Sequence, residues 1–293
     1  MRELRVRLIG LAYLVMWRFT RTIPERWAVR LFVRGFDRSW RKNAKQRAVV
    51  SENLRPIVGD GPDLAPTVRA AFHSYGRYWA EAFRLQDLSD AEMEARVDFE
   101  GAEVLDEVMA GGGAVLGVPH LGNWDSAGRY AANRWRLSAV AEVLRPKVLF
   151  DRFVAYRRAL GMTIIPLRRG EDVTAQCVER IKSSGDLLAL VCDRDLSGRG
   201  IPVRMFGRTT TMPAGPAVVA LRAGVPLLPG ATFQAPDGRW RVCAYPPVAT
   251  GTEPETPEEI ARIMQRLADV FEGILRQAPE QWHAFVPYWT DEG

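Results

Sequence analysis

The stretch that decides the fold runs from residue 111 to residue 125 and reads Gly-Gly-Gly-Ala-Val-Leu-Gly-Val-Pro-His-Leu-Gly-Asn-Trp-Asp. Its glycines predict the end of a helix, and the apolar run Ala114 to Val118 predicts a buried strand. Asn123 is a suitable N-cap for a helix with Asp125 in its first turn. This order of helix, strand, loop and helix predicts a parallel α/β unit, with His120 just beyond the carboxyl end of its strand.

The rest of the chain from residue 96 repeats this alternation. We predict an α/β fold with a central, mostly parallel sheet flanked by helices, because short apolar runs alternate with helix-like segments. The predicted strands cover residues 97–99, 114–118, 138–141, 163–166, 187–192, 226–232 and 240–244. The predicted helices cover residues 102–109, 124–133, 146–160, 171–182 and 257–277.

Residues 1–95 have a different texture, with helical periodicity through 27–36, 48–54 and 68–85. The turn Gly59-Asp60-Gly61-Pro62 separates the last two of these stretches. We therefore predict that 1–95 form an N-terminal amphipathic helical layer that associates with membranes. Residues 96–293 then form the α/β core as one compact unit.

The positive charge is concentrated at the N-terminal end. Residues 1–50 hold thirteen Arg and Lys against three acidic residues, whereas the remainder is net acidic. Such a segment favours an anionic partner, and its interleaved aromatic and apolar residues suit a bilayer better than nucleic acid. The apolar run at 8–17 is about half of what a spanning helix needs. We expect a peripheral protein on the cytoplasmic face of the cell membrane; an amphipathic layer with a solvated arginine face is the alternative.

Two further patterns limit the chemistry. Cys177, Cys192 and Cys243 are scattered among apolar residues, which predicts buried reduced thiols without a disulfide framework or a metal site. The glycine run at 111–113 precedes a strand, whereas phosphate-binding glycine loops follow one. Trp282, Tyr288 and Trp289 suit core packing or a lipid contact better than base stacking, so we expect no nucleic-acid partner. We also expect no cofactor.

His120 is the candidate catalytic residue. A neutral imidazole is a suitable base for a hydroxyl group, and a carboxylate on its other nitrogen fixes the tautomer. Asp125, five residues later, is the predicted carboxylate, although this spacing alone is weak and His120 could simply be hydrogen-bonded beside Pro119. Because no Ser or Cys nucleophile is evident, the pair favours direct transfer to an acceptor hydroxyl, with a protein donor stabilising the oxyanion.

The residues around His120 resemble a known family. With its H-x4-D spacing, the stretch resembles the lipid A biosynthesis lauroyl/myristoyl acyltransferases of the lysophospholipid acyltransferase superfamily, and most of all the actinobacterial phosphatidylinositol mannoside acyltransferases. Four further regions carry the resemblance: residues 141–161, Asp193-Arg-Asp-Leu-Ser-Gly-Arg-Gly200, Pro213-Ala-Gly-Pro-Ala217 and Pro279-Glu-Gln-Trp282.

The resemblance implies transfer of a long acyl chain, palmitoyl from its CoA thioester, to a mannose hydroxyl of a phosphatidylinositol mannoside. His120 would be the base and Asp125 its orienting partner. Acyl-CoA is then a substrate, and the acceptor is an anionic glycolipid. The residues expected to contact substrates are Asn123, Glu142, Arg157, Arg158, Asp193 and Arg194.

Two of these expectations carry alternatives. Asp193 occupies an acidic family position that is commonly Glu in that branch, and it could instead cap a loop or pair with Arg194. Guanidinium groups suit a phosphoinositol headgroup and the CoA phosphates, but any single arginine is more often a surface residue. The arginines near predicted strand ends are Arg145, Arg157, Arg158, Arg168, Arg169, Arg194 and Arg199.

Other functions stay open at this point. The same chemistry could act on another lipid hydroxyl, such as lysophosphatidate or a lipid A precursor. A thioester hydrolase or a non-catalytic membrane-binding protein of the same fold are the remaining alternatives.

Overall fold

A computed structural model describes residues 15–143, 147–168, 171–195 and 198–290. The strands are β1 Val97–Glu100, β2 Ala114–Val118, β3 Leu137–Glu142, β4 Thr163–Leu167, β5 Leu187–Val191, β6 Ile201–Met205, β7 Arg208–Met212, β8 Leu227–Gln234 and β9 Trp240–Ala244. The helices are α1 at 15–22, α2 Glu25–Lys42, α3 Ala44–Val58, α4 Leu64–Ala82, α5 Asp90–Arg96, α6 Ala102–Ala110, α7 Trp124–Ala132, α8 Lys147–Ala159, α9 Val173–Ser184, α10 Gly215–Ala223 and α11 Pro257–Gln277. Short 3-10 turns cover Leu85–Asp87 and Pro279–Gln281.

Seven strands form the central sheet in the order β1-β9-β8-β2-β5-β3-β4. Every neighbouring pair is parallel except β8 with β9, which run antiparallel. Every residue of β8 is buried, as expected for a strand that is covered on both faces. The predicted α/β class with a mostly parallel sheet is confirmed.

Four elements, β6, β7, α10 and α5, were absent from the sequence prediction. β6 and β7 form a separate hairpin whose turn residues, Phe206 and Gly207, both have positive φ. That turn lacks the Asn-Gly or Asp-Gly pair by which such hairpins are usually recognised. α10 begins with Gly215-Pro216, which resembles a loop, although proline is well tolerated where a helix begins. α5 is short and depends on a capping box between Ser89 and Glu92.

The N-terminal helices cover the sheet. α2 packs along α4, and Leu54 of α3 and Phe72 of α4 belong to the same apolar cluster as β2 and β8 residues. Burial of this shared face stabilises helices whose own propensity would be marginal. The division of the chain at residue 95 stays a prediction.

Two further expectations concern membranes and thiols. Within the described ranges, no helix combines the length and the apolarity needed to span a bilayer. Most of the apolar run at 8–17 lies outside the described residues. The three cysteines are buried and free, which confirms the prediction for them.

Candidate active site

The loop after β2 is built to present His120. Gly122 has φ of 58°, and a Cβ there would lie 1.9 Å from the Thr232 carbonyl oxygen, so the close approach to β8 requires glycine. Asn123 then caps α7 by accepting a hydrogen bond from the Ser126 N–H at 3.1 Å. The predicted strand, loop and N-cap of this segment agree with the structure.

The sheet brings His120 to Asp193. β2 and β5 are parallel neighbours in which Val118 pairs with Val191, and each of the two site residues follows its strand by two positions. Consequently, His120 Nδ1 and Asp193 Oδ1 lie 2.5 Å apart. The Asp193 side chain is 3% exposed and that of His120 is 25% exposed, so only the imidazole is accessible to a substrate. We call these two residues the histidine pair.

The predicted contact between His120 and Asp125 is wrong. Both oxygens of Asp125 are occupied elsewhere, since Arg157 Nε donates to Oδ1 at 2.8 Å and the Tyr78 hydroxyl donates to Oδ2 at 2.9 Å. The physical reason is that Asp125 lies in the first turn of α7, where it faces α4 and α8. We call Asp125, Arg157 and Tyr78 the arginine cluster. Asp193, predicted to contact substrate or Arg194, is instead the partner of His120.

The two groups differ in ionisation. Burial raises the pKa of the Asp193 carboxyl, but the positive charge of His120 and hydrogen bonds from His120 and Trp282 outweigh it, so the net pKa lies below its ordinary value. Burial lowers the pKa of Arg157, and the adjacent Asp125 carboxylate more than reverses this. Burial and the same carboxylate raise the pKa of Tyr78 well above its usual range. Arg157 therefore stays charged and Tyr78 stays neutral.

Asn123 lies below the site and does not line it. Its side chain is fully buried, and its Nδ2 donates to Glu81 Oε2 at 2.9 Å. The same Glu81 oxygen accepts from Trp240 Nε1 at 2.8 Å, so one buried carboxylate joins α4, the His120 loop and β9. The predicted substrate contact of Asn123 is thus replaced by a role in supporting the loop.

His283 also lies beneath the site. It is 5% exposed, its Nε2 is 3.3 Å from Ser74 Oγ, and its Nδ1 has no hydrogen-bond partner among the described residues. Burial lowers the pKa of His283 to about 3, and the nearby charge of His120 acts in the same direction while Asp193 opposes it. His283 is therefore neutral at physiological pH.

A cleft of about 730 Å³ opens at the carboxyl ends of β2, β3 and β5. His120 and Trp124 lie on its surface, together with the predicted substrate residues Glu142, Arg157 and Arg194. Arg194 Nε is buried without a hydrogen-bond partner within the described chain. The cleft thus combines a titratable base with cationic groups, an arrangement suited to an anionic substrate.

The remaining arginines differ in position. Arg199 also lines the cleft, whereas Arg158 is exposed on α8 and is not among the described residues that line it. Arg168 is exposed and pairs with Glu171 at 3.3 Å. Arg145 and Arg169 lie outside the described residues. The predicted substrate contact of Arg158 stays a prediction, for a side chain that is exposed on α8.

A second, apolar cavity of about 100 Å³ lies behind the cleft. Trp124, Val140, Arg157 and Val191 line both spaces. The inner wall consists of side chains such as Phe99, Leu105, Tyr130, Trp135 and Met162. An apolar space of this kind accommodates hydrocarbon and excludes water.

Sequence reasoning missed three residues that build the site. Trp282 was interpreted only as core or lipid-facing, and Tyr78 and Glu81 were not singled out. A carboxylate at position 81, on a helix face with apolar neighbours, was the available indication of a buried polar contact. Trp282 and Tyr78 carried no local indication, because their partners lie 89 and 47 residues away.

The arrangement supports proton transfer at one atom. With Nδ1 on Asp193, His120 retains Nε2 for exchange with a substrate hydroxyl. Among the described residues, no group of three or more His, Cys, Asp or Glu side chains is placed to hold a metal ion.

The mostly parallel sheet thus carries a carboxylate-held histidine at its carboxyl edge, beside an apolar cavity. The chain belongs to the bacterial lipid A biosynthesis acyltransferase family, whose model matches residues 1–291. The protein is an acyltransferase, and the family resemblance inferred from the His120 segment is confirmed.

Two relatives are similar over nearly the whole chain. The phosphatidylinositol mannoside acyltransferase of Mycolicibacterium smegmatis is 35% identical over 283 residues, covering 95% of this chain and 90% of the relative. That of Mycobacterium tuberculosis is 36% identical over 287 residues, covering 95% and 87%. Among solved structures, the 1-acyl-sn-glycerophosphate acyltransferase PlsC from Thermotoga maritima is similar with a TM-score of 0.41 and 14% identity, covering 94% of this chain and 98% of that one.

Proposed function

We propose that this acyltransferase moves a long fatty acyl chain, palmitoyl in the simplest case, from CoA to a mannose hydroxyl of a phosphatidylinositol mannoside. The observation that carries the proposal is the histidine pair, His120 with Asp193, at a cleft that adjoins an apolar cavity. The acceptor is proposed from the names of the two relatives, of which this chain covers 90% and 87%.

In the proposed reaction, His120 Nε2 takes the proton of the acceptor hydroxyl as its oxygen attacks the thioester carbonyl carbon. The tetrahedral intermediate collapses, the carbon–sulfur bond breaks, and the CoA sulfur takes the proton from the imidazolium. Asp193 holds Nδ1 and stabilises the imidazolium that forms between the two steps. This partner replaces Asp125 in the mechanism expected from sequence.

The cationic groups are proposed to bind charge that the substrates carry. Arg194 faces the cleft with an unpartnered Nε, within the described residues, and suits either the developing oxyanion or a phosphate oxygen. Arg157 is held by Asp125 and can present its remaining N–H groups to the acceptor headgroup. Glu142, exposed at the end of β3, can accept hydrogen bonds from sugar hydroxyls.

Part of the acyl chain is proposed to lie in the inner apolar cavity, whose volume of about 100 Å³ is too small for a whole palmitoyl chain, and the rest in the adjoining cleft. Trp124 and Arg157 line both spaces, and His120 lines the cleft, which supports a chain that runs from a thioester beside His120 into the inner cavity. Burial of hydrocarbon contributes about 0.8 kcal/mol for each methylene group, which favours long chains up to the depth of the cavity. No cofactor takes part in this scheme.

The membrane surface is proposed as the place of reaction. The first helices and α8 expose large apolar side chains next to arginines, a combination that suits a peripheral contact with anionic lipid on the cytoplasmic side, where acyl-CoA is present. These apolar side chains are Val15, Met16, Phe19, Trp27, Leu31 and Val148.

The test is an acyl-transfer assay on the full chain with palmitoyl-CoA and mannosylated phosphatidylinositol in mixed micelles, read by mass spectrometry. We expect His120→Ala to lower kcat by roughly a thousandfold, within the range that general base catalysis contributes. His73→Ala is the matched control, because His73 contacts Asp37 between α2 and α4, away from the cleft. Its rate should match the wild type.

The same assay separates the alternatives. A His120→Ala variant that transfers palmitate at the wild-type rate rules out the proposed base. Preference for lysophosphatidate or a lipid A precursor as acceptor identifies another lipid hydroxyl as the substrate. Rapid release of free fatty acid without any acceptor identifies a hydrolase. Shorter acyl-CoAs in parallel reactions establish the chain-length preference.

A further inference from the structure

Trp282 contacts the carboxylate of the histidine pair from the side opposite His120. It is 1% exposed and follows the 3-10 turn at Pro279–Gln281. Its indole N–H donates to Asp193 Oδ2 at 2.9 Å, while Oδ1 accepts from His120. Each carboxylate oxygen therefore has its own donor, and the plane of the carboxylate is fixed.

The backbone next to Trp282 also holds the His120 loop. The His283 N–H donates to the His120 carbonyl at 2.8 Å, and the Gly122 N–H donates to the Gln281 carbonyl at 3.0 Å. Leu121 and Trp282 form an isolated antiparallel bridge between these two bonds. Residues 281–283 thus fix both members of the histidine pair, one through its backbone and the other through its side chain.

An indole is suited to this position because it can donate a hydrogen bond but cannot accept one. It stabilises the ionised carboxylate more than the protonated acid, and it takes no part in exchanging the proton that moves through His120. The terminal torsion of an aspartate is otherwise broad, so a donor on one oxygen alone would leave the group free to turn. The edge-on contact with Tyr288, at 4.7 Å between ring centroids, keeps the indole itself in place.

We propose that Trp282 is a positioning residue for acyl transfer, with its indole N–H holding the Asp193 carboxylate in the plane that His120 requires. The inference rests on the proposed function, in which His120 is the base. It assigns to Trp282 an effect on the rate of the chemical step beyond its contribution to packing.

Trp289 offers a matched control within the same aromatic cluster. Its indole N–H donates to the Asn53 carbonyl at 3.3 Å, and its ring contacts Tyr288 edge-on at 4.9 Å. Trp282→Phe and Trp289→Phe each remove one indole N–H from this cluster. Only the first removes a donor from Asp193.

The experiment compares both variants with the wild type and with His120→Ala in the palmitoyl-transfer assay across a range of pH, with Tm measured for each. We expect Trp282→Phe to lower kcat by roughly 10- to 100-fold, the loss expected for one buried hydrogen bond to a charged group. KM for palmitoyl-CoA should stay within about twofold of the wild type, because the substitution leaves ground-state binding of the substrate unchanged. Trp289→Phe should keep kcat within about threefold of the wild type.

The pH profile distinguishes positioning from packing. A carboxylate with one donor fewer attracts the proton on its imidazole partner more strongly, so the acidic limb of kcat/KM should move to higher pH in Trp282→Phe. The profile of Trp289→Phe should coincide with that of the wild type. If Trp282→Phe does not fold, benzothienylalanine at position 282 keeps the shape of the ring and removes only the N–H.

Three results overturn the inference. The first is an equal loss of kcat in the two tryptophan variants, in proportion to their loss of Tm and with unchanged pH profiles, which makes Trp282 a packing residue. The second is an active His120→Ala variant, which removes the base and with it the proposed function. An inactive His120→Ala together with a fully active Trp282→Phe overturns this inference alone.

Discussion

The histidine pair and the arginine cluster place two aspartates at one cleft in different electrostatic surroundings. The Asp193 and Asp125 side chains are similarly withdrawn from solvent, at 3% and 4% exposure, and each accepts hydrogen bonds on both oxygens. Asp193 faces an imidazole, a group that can take a proton from a substrate hydroxyl and return it. Asp125 faces a guanidinium that cannot.

The comparison shows that the partner decides what a buried carboxylate can do. Against His120, a carboxylate changes the ease of a proton transfer. Against Arg157, it neutralises a fixed charge and holds a helix and a side chain in place. Spacing along the chain does not show which aspartate contacts His120. Asp125 is nearer to His120 in sequence, yet Asp193 is the one that contacts it.

The strongest test of this difference is Asp193→Asn. The Trp282 indole only donates, so the oxygen of the new amide must face it, and the amide N–H2 then faces His120 Nδ1. His120 is thereby held with its proton on Nε2, where it cannot act as a base. The equivalent change in a Ser-His-Asp triad costs about 10⁴ in kcat, and we expect a loss of roughly 10³ or more here, measured by palmitoyl transfer.

Asp125→Asn is the matched control for that variant. It makes the same isosteric change in the other group, and we expect its kcat to fall much less than that of Asp193→Asn. If Asp125→Asn is the slower enzyme while Asp193→Asn retains most of its activity, the assignment of the two aspartates is reversed.

The second test concerns stability. Asp125→Asn leaves the Arg157 guanidinium without its counter-charge, and we expect a loss of about 2 kcal/mol, or roughly 5 °C in Tm, because Arg157 is partly exposed. Asp125→Asn combined with Arg157→Met removes both charges and should recover part of that loss. Thermal unfolding of the single and double variants measures the coupling. Strictly additive losses would show that the two side chains do not depend on each other.

The third test uses His283, whose side chain hydrogen-bonds to neither group although its backbone N–H donates to the His120 carbonyl. The pKa of His283 is lowered from 6.5 to about 3 on folding. Between these two pH values, the unfolded chain therefore binds a proton at His283 that the folded chain does not bind. Its contribution to stability is complete above about pH 6.5 and decreases as the pH falls towards 3. We expect a loss of roughly 2 kcal/mol by pH 5.

His283→Gln should remove this part of the pH dependence. The free energies of unfolding of the wild type and the variant, compared by denaturant titration at about pH 7 and pH 5, give the difference directly. If the free energy of unfolding changes equally with pH in the two proteins, His283 accepts a proton in the folded state.

Much of the fold was predictable because it depends on local pattern. β2, β9 and α11 have the boundaries that periodicity and turn residues indicated. The hairpin of β6 and β7 and helix α10 were missed, since their turn and first residues resemble ordinary loops. The antiparallel pairing of β8 with β9 was also not predicted, although the short turn at 235–239, with its Pro-Asp-Gly sequence, leaves no room for a parallel crossover.

The candidate site was likewise predictable only where it depends on local sequence. The position of His120 followed from its own strand, loop and N-cap. Its partner did not, because the contact with Asp193 depends on β5 lying beside β2, and strand order is not contained in local periodicity. With that neighbour known, the equal spacing of His120 and Asp193 beyond Val118 and Val191 would have been enough to predict the pair.

The bond from Trp282 to Asp193 also determines when the site is assembled during synthesis. Trp282 is synthesised 89 residues after Asp193. The loops after β2 and β5, which carry His120 and Asp193, therefore leave the ribosome before the segment that contacts them. A nascent chain that ends before this tryptophan contains His120 and Asp193 but lacks the indole N–H that donates to Asp193. Under the role proposed for Trp282, acyl transfer reaches its full rate only once residues 281–283 have left the exit tunnel and folded back onto the sheet.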